Sequence, residues 1–281
     1  MLYVVSTPIG NMGDITFRAI QTLKDVDLIA AEDTRTTRNL MNHYGITTHA
    51  TPYHQHNIRK KTEKLIDELK LGKSIALVSD AGTPGISDPG HELIAACIEH
   101  GITITGIPGP NAMIDAIVLS GLSTIRFSFE GFPPRHPRDR KAFFTELLSE
   151  TRTMVFYESP HRILASLKDM LYCLGDRRIA IIREATKMFE DIKRGKISEI
   201  IEHFTKTTPR GEFVIVLDGA SPSESKSADD EPDVEDLLKE YVKSGMTERD
   251  AVKRVSSERQ LPRREVYQCM LKIKGEGNEP V

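Results

Sequence analysis

The chain has little of what marks several protein classes. It has three cysteines, Cys97, Cys173 and Cys269, odd in number and far apart. That argues against a disulfide frame or a zinc knuckle and for a reducing compartment, the cytoplasm. No apolar run approaches the ~20 residues of a membrane span, so no membrane partner is expected. Met1-Leu2-Tyr3-Val4-Val5 shows neither a basic leader nor a cleavage site, so no signal peptide is expected. The net charge is −3 over 281 residues, and the chain as a whole does not announce nucleic acid. The three-glycine dinucleotide fingerprint and the glycine–lysine phosphate loop are both missing. His54 and His56 lack a third ligand at a recognisable spacing, so no metal is expected.

What is present is glycine and proline gathered where strands end. Ile75-Ala76-Leu77-Val78 has the length of a buried strand. It runs into Ser79-Asp80-Ala81-Gly82-Thr83-Pro84-Gly85-Ile86-Ser87-Asp88-Pro89-Gly90, and a helical pattern at Leu93, Ile94, Cys97 and Ile98 follows. The loop is longer than a turn needs. Gly82 and Gly85 let backbone approach a ligand, while Pro84 and Pro89 stiffen the approach. Asp80 and Asp88 offer carboxylates to hydroxyls, amines or a cation. The same unit recurs. Tyr3-Val4-Val5-Ser6 leads into Thr7-Pro8-Ile9-Gly10-Asn11-Met12-Gly13-Asp14 and a helix with Phe17, Ile20 and Leu23. Val26 to Ala31 ends in Glu32-Asp33-Thr34-Arg35, which suits chemistry but also a solvated helix start. A basic helix from Arg59 to Leu69 follows. Ile102 to Thr105 ends in Gly106-Ile107-Pro108-Gly109-Pro110-Asn111-Ala112, and a buried helix then runs to Ser120-Gly121-Leu122. Residues 1–121 therefore read as an α/β domain with a mostly parallel sheet, helices on both faces and special loops at one edge.

A second α/β domain is expected over residues 122–219. Phe127-Ser128-Phe129, Met154-Val155-Phe156, Arg177 to Ile182 and Gly211 to Leu217 read as strands of a mixed sheet. Arg135-His136-Pro137-Arg138-Asp139-Arg140-Lys141 is the densest basic run. Read as a loop beside Phe132, it suits phosphate contact as well as plain solvation. Residues 220–233 form a polar, acidic linker. Residues 234–275 hold three short helices, with Asp233 as a possible cap, Thr247 and Asp250 spaced as a capping box, and Pro262 at a first turn. Arg254, Arg259, Arg263 and Arg264 give them a basic side. Such a tail is similar to a helix-turn-helix bundle, and equally to a docking or dimerisation appendage.

Read together, the loops carry a resemblance. Ser6-Thr7-Pro8-Ile9-Gly10-Asn11, Glu32-Asp33-Thr34-Arg35, the run from Ser79 to Gly90, Pro108-Gly109-Pro110, Tyr157-Glu158-Ser159-Pro160-His161-Arg162 and Arg183-Glu184-Ala185-Thr186-Lys187 occur in order. This set closely resembles the tetrapyrrole methylase (class III) superfamily of S-adenosylmethionine enzymes, in its branch that acts on small-subunit ribosomal RNA. The long aspartate–glycine–proline loop is the most specific part, and the run from Tyr157 to Arg162 separates this branch from methylases of tetrapyrroles. Ala185 departs from the leucine usual before Thr186-Lys187, with no loss of charge.

The resemblance implies two α/β domains with the cofactor S-adenosyl-L-methionine between them, a homodimer, and the small ribosomal subunit with its 16S rRNA as partner. The implied reaction is 2′-O-methylation of a cytidine ribose in the decoding region. Pro8, Asp80, Gly82, Thr83, Pro84 and Ile86, with Ser120 and Leu122, are then expected to hold the donor, and Tyr157, Ala185 and Lys187 to close over its adenosine. Asp14, Glu32, Asp33 and Arg35 are expected to face the nucleotide. Methyl transfer from a sulfonium is an in-line displacement, so the protein mainly aligns the reacting atoms. A ribose hydroxyl is a poor nucleophile at neutral pH, and a base helps. Glu32 or Asp33 is the expected base, with Lys187 or Glu184 as the alternative. Arg35, Arg38, Arg135, Arg138 and Arg140 are expected phosphate contacts. Two other readings stay open: a methyltransferase of the same fold acting on a small tetrapyrrole-like acceptor, and a non-enzymatic ribosome- or RNA-binding module.

Overall fold

Five short runs of apolar and small residues form the first sheet: β1 (Leu2–Val5), β2 (Leu28–Ala31), β3 (Ala50–Pro52), β4 (Ile75–Val78) and β5 (Ile104–Ile107). The computed structural model describes residues 1–55, 58–88, 90–221, 234–243, 246–259 and 261–276. It orders these strands β3-β2-β4-β1-β5 with every pairing parallel. Parallel neighbours need crossovers, and helices supply them. α1 (Phe17–Asp25) and α2 (Thr34–Tyr44) cover one face, where Leu23 and Leu40 meet Val5, Ile29 and Val78. α3 (Ile58–Lys70) and α4 (His91–Glu99) cover the other, where Leu65, Leu69 and Leu93 meet Leu2, Ile75 and Leu77. Full burial of each such side chain contributes roughly 1.5–3 kcal/mol. Thr16 and Asp33 start α1 and α2 by accepting the N–H of Ala19 and Arg35. β1 and β4 are neighbours although β2 and β3 come between them in the chain. The loops after β1 and β4 therefore meet at a topological switch point.

The next helix, α5 (Ala112–Ser120), does not pack on this sheet. Ala116 and Ile117 pack on Val155, Ala180, Ile182, Val214 and Val216 of a second sheet. A boundary at residue 121 thus leaves on the first side a helix whose core lies in the second. That sheet holds β6 (Phe127–Gly131), β7 (Thr153–Glu158), β8 (Arg178–Arg183), β9 (Asp191–Lys196) and β10 (Phe213–Leu217) in the order β6-β7-β10-β8-β9. β6 and β7 are parallel and the rest antiparallel, a mixed sheet as the alternation predicts. α6 (Pro137–Glu146), α7 (Ile163–Leu174) and α8 (Ile197–Lys206) cover its other face through Phe144, Leu167, Met170, Ile200 and Phe204.

Several elements escape the sequence reading, α2 and β3 in the first sheet's layers and β9, α8 and α6 around the second. β9 is a charged strand at the sheet edge, paired only with β8, and α8 follows it directly. α6 takes in most of the basic run read as a loop. Pro137 opens that helix, where its fixed φ and missing N–H cost nothing. Only Arg135 and His136 of the run lie outside it.

Residues Met1–Ala220 form one compact unit and Ser221–Val281 a second. In the second, α9 (Val234–Lys243), α10 (Glu248–Glu258) and α11 (Arg263–Glu276) surround a core of Leu238, Ala251, Val252, Val255, Val266 and Met270. Thr247 caps α10 by accepting the Asp250 N–H at 3.3 Å, as its spacing predicts. The acidic stretch from Pro222 to Asp233 lies outside the described residues, as do His56 and Pro89. Among the described residues no helix is long and apolar enough to cross a membrane.

Candidate functional site

Within the first unit, residues just past β1, β2, β4 and β5 face the ends of β7 and β8 and the start of β10 across a cleft of about 560 Å³. Its floor depends on the two loops at the switch point. Thr7 and Gly82 exchange backbone hydrogen bonds at 2.9 and 3.0 Å. The Thr7 hydroxyl donates to the Ser79 carbonyl at 3.2 Å, and the hydroxyls of Ser6 and Thr83 meet at 2.9 Å. Gly82 takes φ +78°, which a side chain disfavours, so the chain can turn back there. Further along, the Gly85 N–H donates to Asp88 Oδ1 at 2.5 Å. A Cβ on Gly90 would stand 2.7 Å from the Gly85 nitrogen, so the loop closes on itself only with glycine there.

Acidic groups cluster on one side. The Asp80 N–H donates to Glu32 Oε2 at 3.2 Å and the Asp33 N–H to Asp80 Oδ1 at 3.1 Å. Burial pushes the Glu32 carboxyl above its ordinary pKa, and the charges of Asp80 and Asp33 add to the rise. Burial likewise raises Asp80. Asp88 rises to about 6, again chiefly by burial, with Glu32 and Asp80 adding. Asp33 goes the other way. Its carboxylate holds the Arg35 guanidinium at 2.6 Å and stands down at about 2.

The opposite side holds a lysine fixed between two glutamates. Lys187 Nζ donates to Glu212 Oε2 at 3.0 Å and to Glu184 Oε1 at 3.1 Å. Burial disfavours its charge, but Glu212 and Glu184 outweigh that and hold its pKa above the ordinary lysine value. Glu184 is lowered, first by the Glu212 N–H and then by Lys187. A Cβ on Gly10 would stand 2.5 Å from Lys187 Cγ, so the stem of Lys187 lies against the loop after β1. Among the described residues, the non-glycine positions with positive φ are Ser87, Glu184 and Thr186. All three sit in loops that border the cleft, where strain of this kind collects.

Between the two charged sides the lining is apolar: Ile86, Phe132, Tyr157, Ile182, Ala185, Phe213 and Val214. The run after Tyr157 is largely a brace. The buried Glu158 carboxylate accepts from the Ser159 N–H at 2.8 Å, from Arg162 at 3.0 Å and from the Ser166 hydroxyl. The same Arg162 nitrogen donates to the Pro133 carbonyl at 2.5 Å. Asn111 opens α5 into the cleft, its side chain accepting from the Met113 and Ile114 N–H groups at 3.1 and 3.3 Å.

Of the residues expected at the site, Glu32, Asp80, Gly82, Thr83, Ile86, Tyr157, Ala185 and Lys187 line the cleft. Glu184 stands behind Lys187 as its partner, whereas the Asp33 carboxylate is turned to Arg35 and the Asp33 N–H to Asp80. Pro8 borders a small neighbouring pocket with Thr37 and Asp80, and Pro84 is buried in the loop. Ser120 is buried and ends α5, donating to the Ile117 carbonyl at 2.7 Å and accepting the Leu122 N–H at 3.0 Å. Asp14 is half-buried, while Arg35, Arg38, Arg135 and Arg138 are exposed. Arg140 is corrected. It is buried, with Nε and Nη2 on Asp169 Oδ2 at 2.8 and 2.6 Å and Nη1 on the Arg135 carbonyl at 3.2 Å, so it is not available to a phosphate. Glu212, Phe213 and Val214 join the cleft with no signal in the sequence. Asn111 had one, as a capping residue just before an apolar helix. Among the described residues no group of three His, Cys, Asp or Glu side chains is placed to hold a metal.

Comparison with known proteins adds the following. Residues 1–201 match the family model of tetrapyrrole (corrin/porphyrin) methylases. A protein of Synechocystis sp. named ribosomal RNA small subunit methyltransferase I is 47% identical over 278 residues, which are 99% of this chain and 99% of that one. Proteins of the same name from Halalkalibacterium halodurans and Bacillus subtilis are 44% and 43% identical over 95% of this chain, and over 93% and 92% of their own lengths. Among solved structures, uroporphyrin-III-C-methyltransferase from Thermus thermophilus superposes with a TM-score of 0.55 at 18% identity over 76% of this chain and 93% of that one. The methyltransferase CobJ does so with a TM-score of 0.59 at 18% identity, over 78% and 94%. At such identity the likeness is one of fold.

Proposed function

The chain belongs to the tetrapyrrole methylase family, and from that membership we propose that it transfers the methyl group of S-adenosylmethionine to ribosomal RNA of the small subunit. The finer acceptor is the 2′-hydroxyl of a cytidine in the decoding region of 16S rRNA. The observation that carries the reading is the match, along nearly the full chain, to proteins named ribosomal RNA small subunit methyltransferase I. The cleft supports it, because its lining suits the donor. Carboxylates of Glu32, Asp80 and Asp88 complement a sulfonium and an ammonium. Ile182, Ala185, Phe213 and Val214 offer an apolar bed for an adenine. Gly82 and Thr83 bring backbone close enough to bind polar groups directly.

When bound, the donor supplies a methyl group already activated on a positive sulfur. What remains for the protein is alignment, exclusion of water and removal of one proton. Glu32 is the proposed base. It lines the cleft, and its raised pKa makes it the best proton acceptor of the candidates. Asp33 at about 2 is a weak base held by Arg35. Lys187 stays protonated between Glu184 and Glu212 with its stem against the loop after β1, so we assign it to positioning that side of the cleft rather than to proton transfer. Arg35, Arg38, Arg135 and Arg138 are the proposed phosphate contacts, and Asp14 is proposed to face the nucleotide.

Labelled methyl transfer to small ribosomal subunits from a strain lacking the protein tests the reaction, with the product mapped by resistance to alkaline cleavage. One 2′-O-methyl site is expected; no incorporation overturns the reading. Glu32→Gln should abolish single-turnover transfer with donor binding intact, whereas Asp33→Asn should slow it less. The proposed ribosomal RNA substrate supports a cytoplasmic location. We also propose a homodimer, supported by the exposure of Ile114 and Val118 on α5 and checked by light scattering.

A further inference from the structure

We propose that Phe132 is a stacking platform for an RNA base at the mouth of the cleft, with Arg135 and Arg138 holding the adjoining phosphates. The inference rests on the reading that the acceptor is RNA. Phe132 lines the cleft yet is 55% exposed, an apolar ring left for something to cover. It is set rigidly. Gly131 turns the chain at φ +67° just before it, and the Pro133 carbonyl just after it is held by Arg162, itself tied to the buried Glu158. From behind, Phe132 meets the Tyr157 ring at 5.5 Å and 61°, and Tyr157 in turn meets Phe129 at 4.9 Å.

The basic run that follows divides into two parts. Arg140 and Lys141 are both engaged by Asp169, at 2.6 and 3.7 Å. Arg135 and Arg138 are exposed and make no ion pair among the described residues. An exposed ring followed along the chain by two exposed guanidiniums that make no ion pair among the described residues is a combination by which proteins hold single-stranded nucleic acid, since every base has a face to stack and every nucleotide a phosphate. The adenine of the donor is the competing occupant. It already has its own apolar bed in Ile182, Ala185, Phe213 and Val214, which leaves the exposed Phe132 ring to another occupant.

The test uses the full chain, with small ribosomal subunits lacking the modification as the RNA probe and calorimetry for S-adenosylmethionine. Phe132→Ala should weaken binding of the subunits by roughly 5- to 150-fold, the range of a lost base–aromatic stack. Donor affinity should not change, and Phe132→Trp should restore binding. Phe132→Leu, which keeps the bulk and loses the π face, repeats the test should the alanine variant fold poorly. Arg135→Gln and Arg138→Gln should each flatten the salt dependence of subunit binding by about 0.7 in log–log slope. Unchanged subunit affinity in both Phe132→Ala and Phe132→Leu overturns the inference, as does a loss of donor affinity equal to the loss for RNA. Failure of the unaltered protein to methylate any RNA is a separate result and overturns the functional reading instead.

Discussion

Arg140 stands in a basic run that reads as a phosphate-binding loop, yet it is a buried member of the core layer between α6 and α7. Its side chain is 5% exposed and that of Asp169 is 13% exposed. Asp169→Asn would leave the guanidinium buried without a counter-charge. Breaking such a pair from one side costs about 3–5 kcal/mol, because the remaining charge loses both its partner and water. At roughly 2–4 °C per kcal/mol for a domain of this size, the unfolding midpoint should fall by about 6–20 °C. Lys141, 3.7 Å from the other carboxylate oxygen and half-exposed, adds little. Replacing both partners by apolar residues, as in Arg140→Met with Asp169→Leu, should recover most of the loss, since no charge is then stranded. The assays are thermal and urea unfolding, with the salt dependence of RNA binding measured on the same variants. Arg140→Met should leave that salt slope unchanged. A drop of about 0.7 in the slope with an unchanged midpoint would refute the assignment and return Arg140 to the RNA footprint.

Three further outcomes follow. Asp88 titrates near 6 in the fold against an ordinary 3.8, so the fold prefers the protonated carboxyl, and the stability it contributes below pH 4 is lost as pH rises through 6. Asp88→Asn should therefore stabilise the free protein above pH 6, by at most about 3 kcal/mol, and flatten its melting temperature between pH 4 and 6; a curve parallel to that of the unaltered protein refutes this. Asp33 helps to raise Glu32, so Asp33→Asn should move the acid limb of the single-turnover pH profile to lower pH, and a move to higher pH would contradict Glu32 as the base. Burial pushes the Cys97 thiol to about 11, so peptide mapping after iodoacetamide at pH 8 should find Cys97 unmodified until the protein is unfolded.

Much of the fold was legible because its strands are short, apolar and punctuated. β1, β4 and β10 stand close to where their apolar runs lie, and the glycine–proline loops mark the strand ends at which the cleft opens. What escaped did so for physical reasons. β9 pairs on one side only, so it can carry Asp191, Lys193, Arg194 and Lys196, and no hydrophobic pattern gives it away. α6 begins at a proline that also reads as a loop signal. The packing of α5 is invisible in sequence, since an almost wholly apolar helix does not say which sheet it covers. The site divides in the same way. Loop residues such as Asp80 and Gly82 declared themselves by type and Thr83 only through the family resemblance, whereas Glu212 enters only because β10 is threaded between β7 and β8.

The adjacent acids Glu32 and Asp33 show what sequence alone could not separate. Both follow β2, and either type of side chain can accept a proton. Asp33 is spent on structure. It caps α2 by accepting the Arg35 N–H at 2.8 Å and pairs with the Arg35 guanidinium, so its charge is stabilised twice over and its basicity falls. Glu32 receives a single N–H, from Asp80, and otherwise faces the cleft among other acids, so its charge is left costly and its basicity rises. One residue's offset along the chain thus moves two carboxyls in opposite directions. Divergence of this kind between neighbouring titratable groups is the usual way a site assigns one acid to scaffold and the other to chemistry. The cost of keeping Glu32, Asp80 and Asp88 together in the free protein is borne by the stitched loops beneath them. A positively charged donor would relieve that repulsion on binding, so the acids that repel one another across the cleft are the ones that would draw the donor into it.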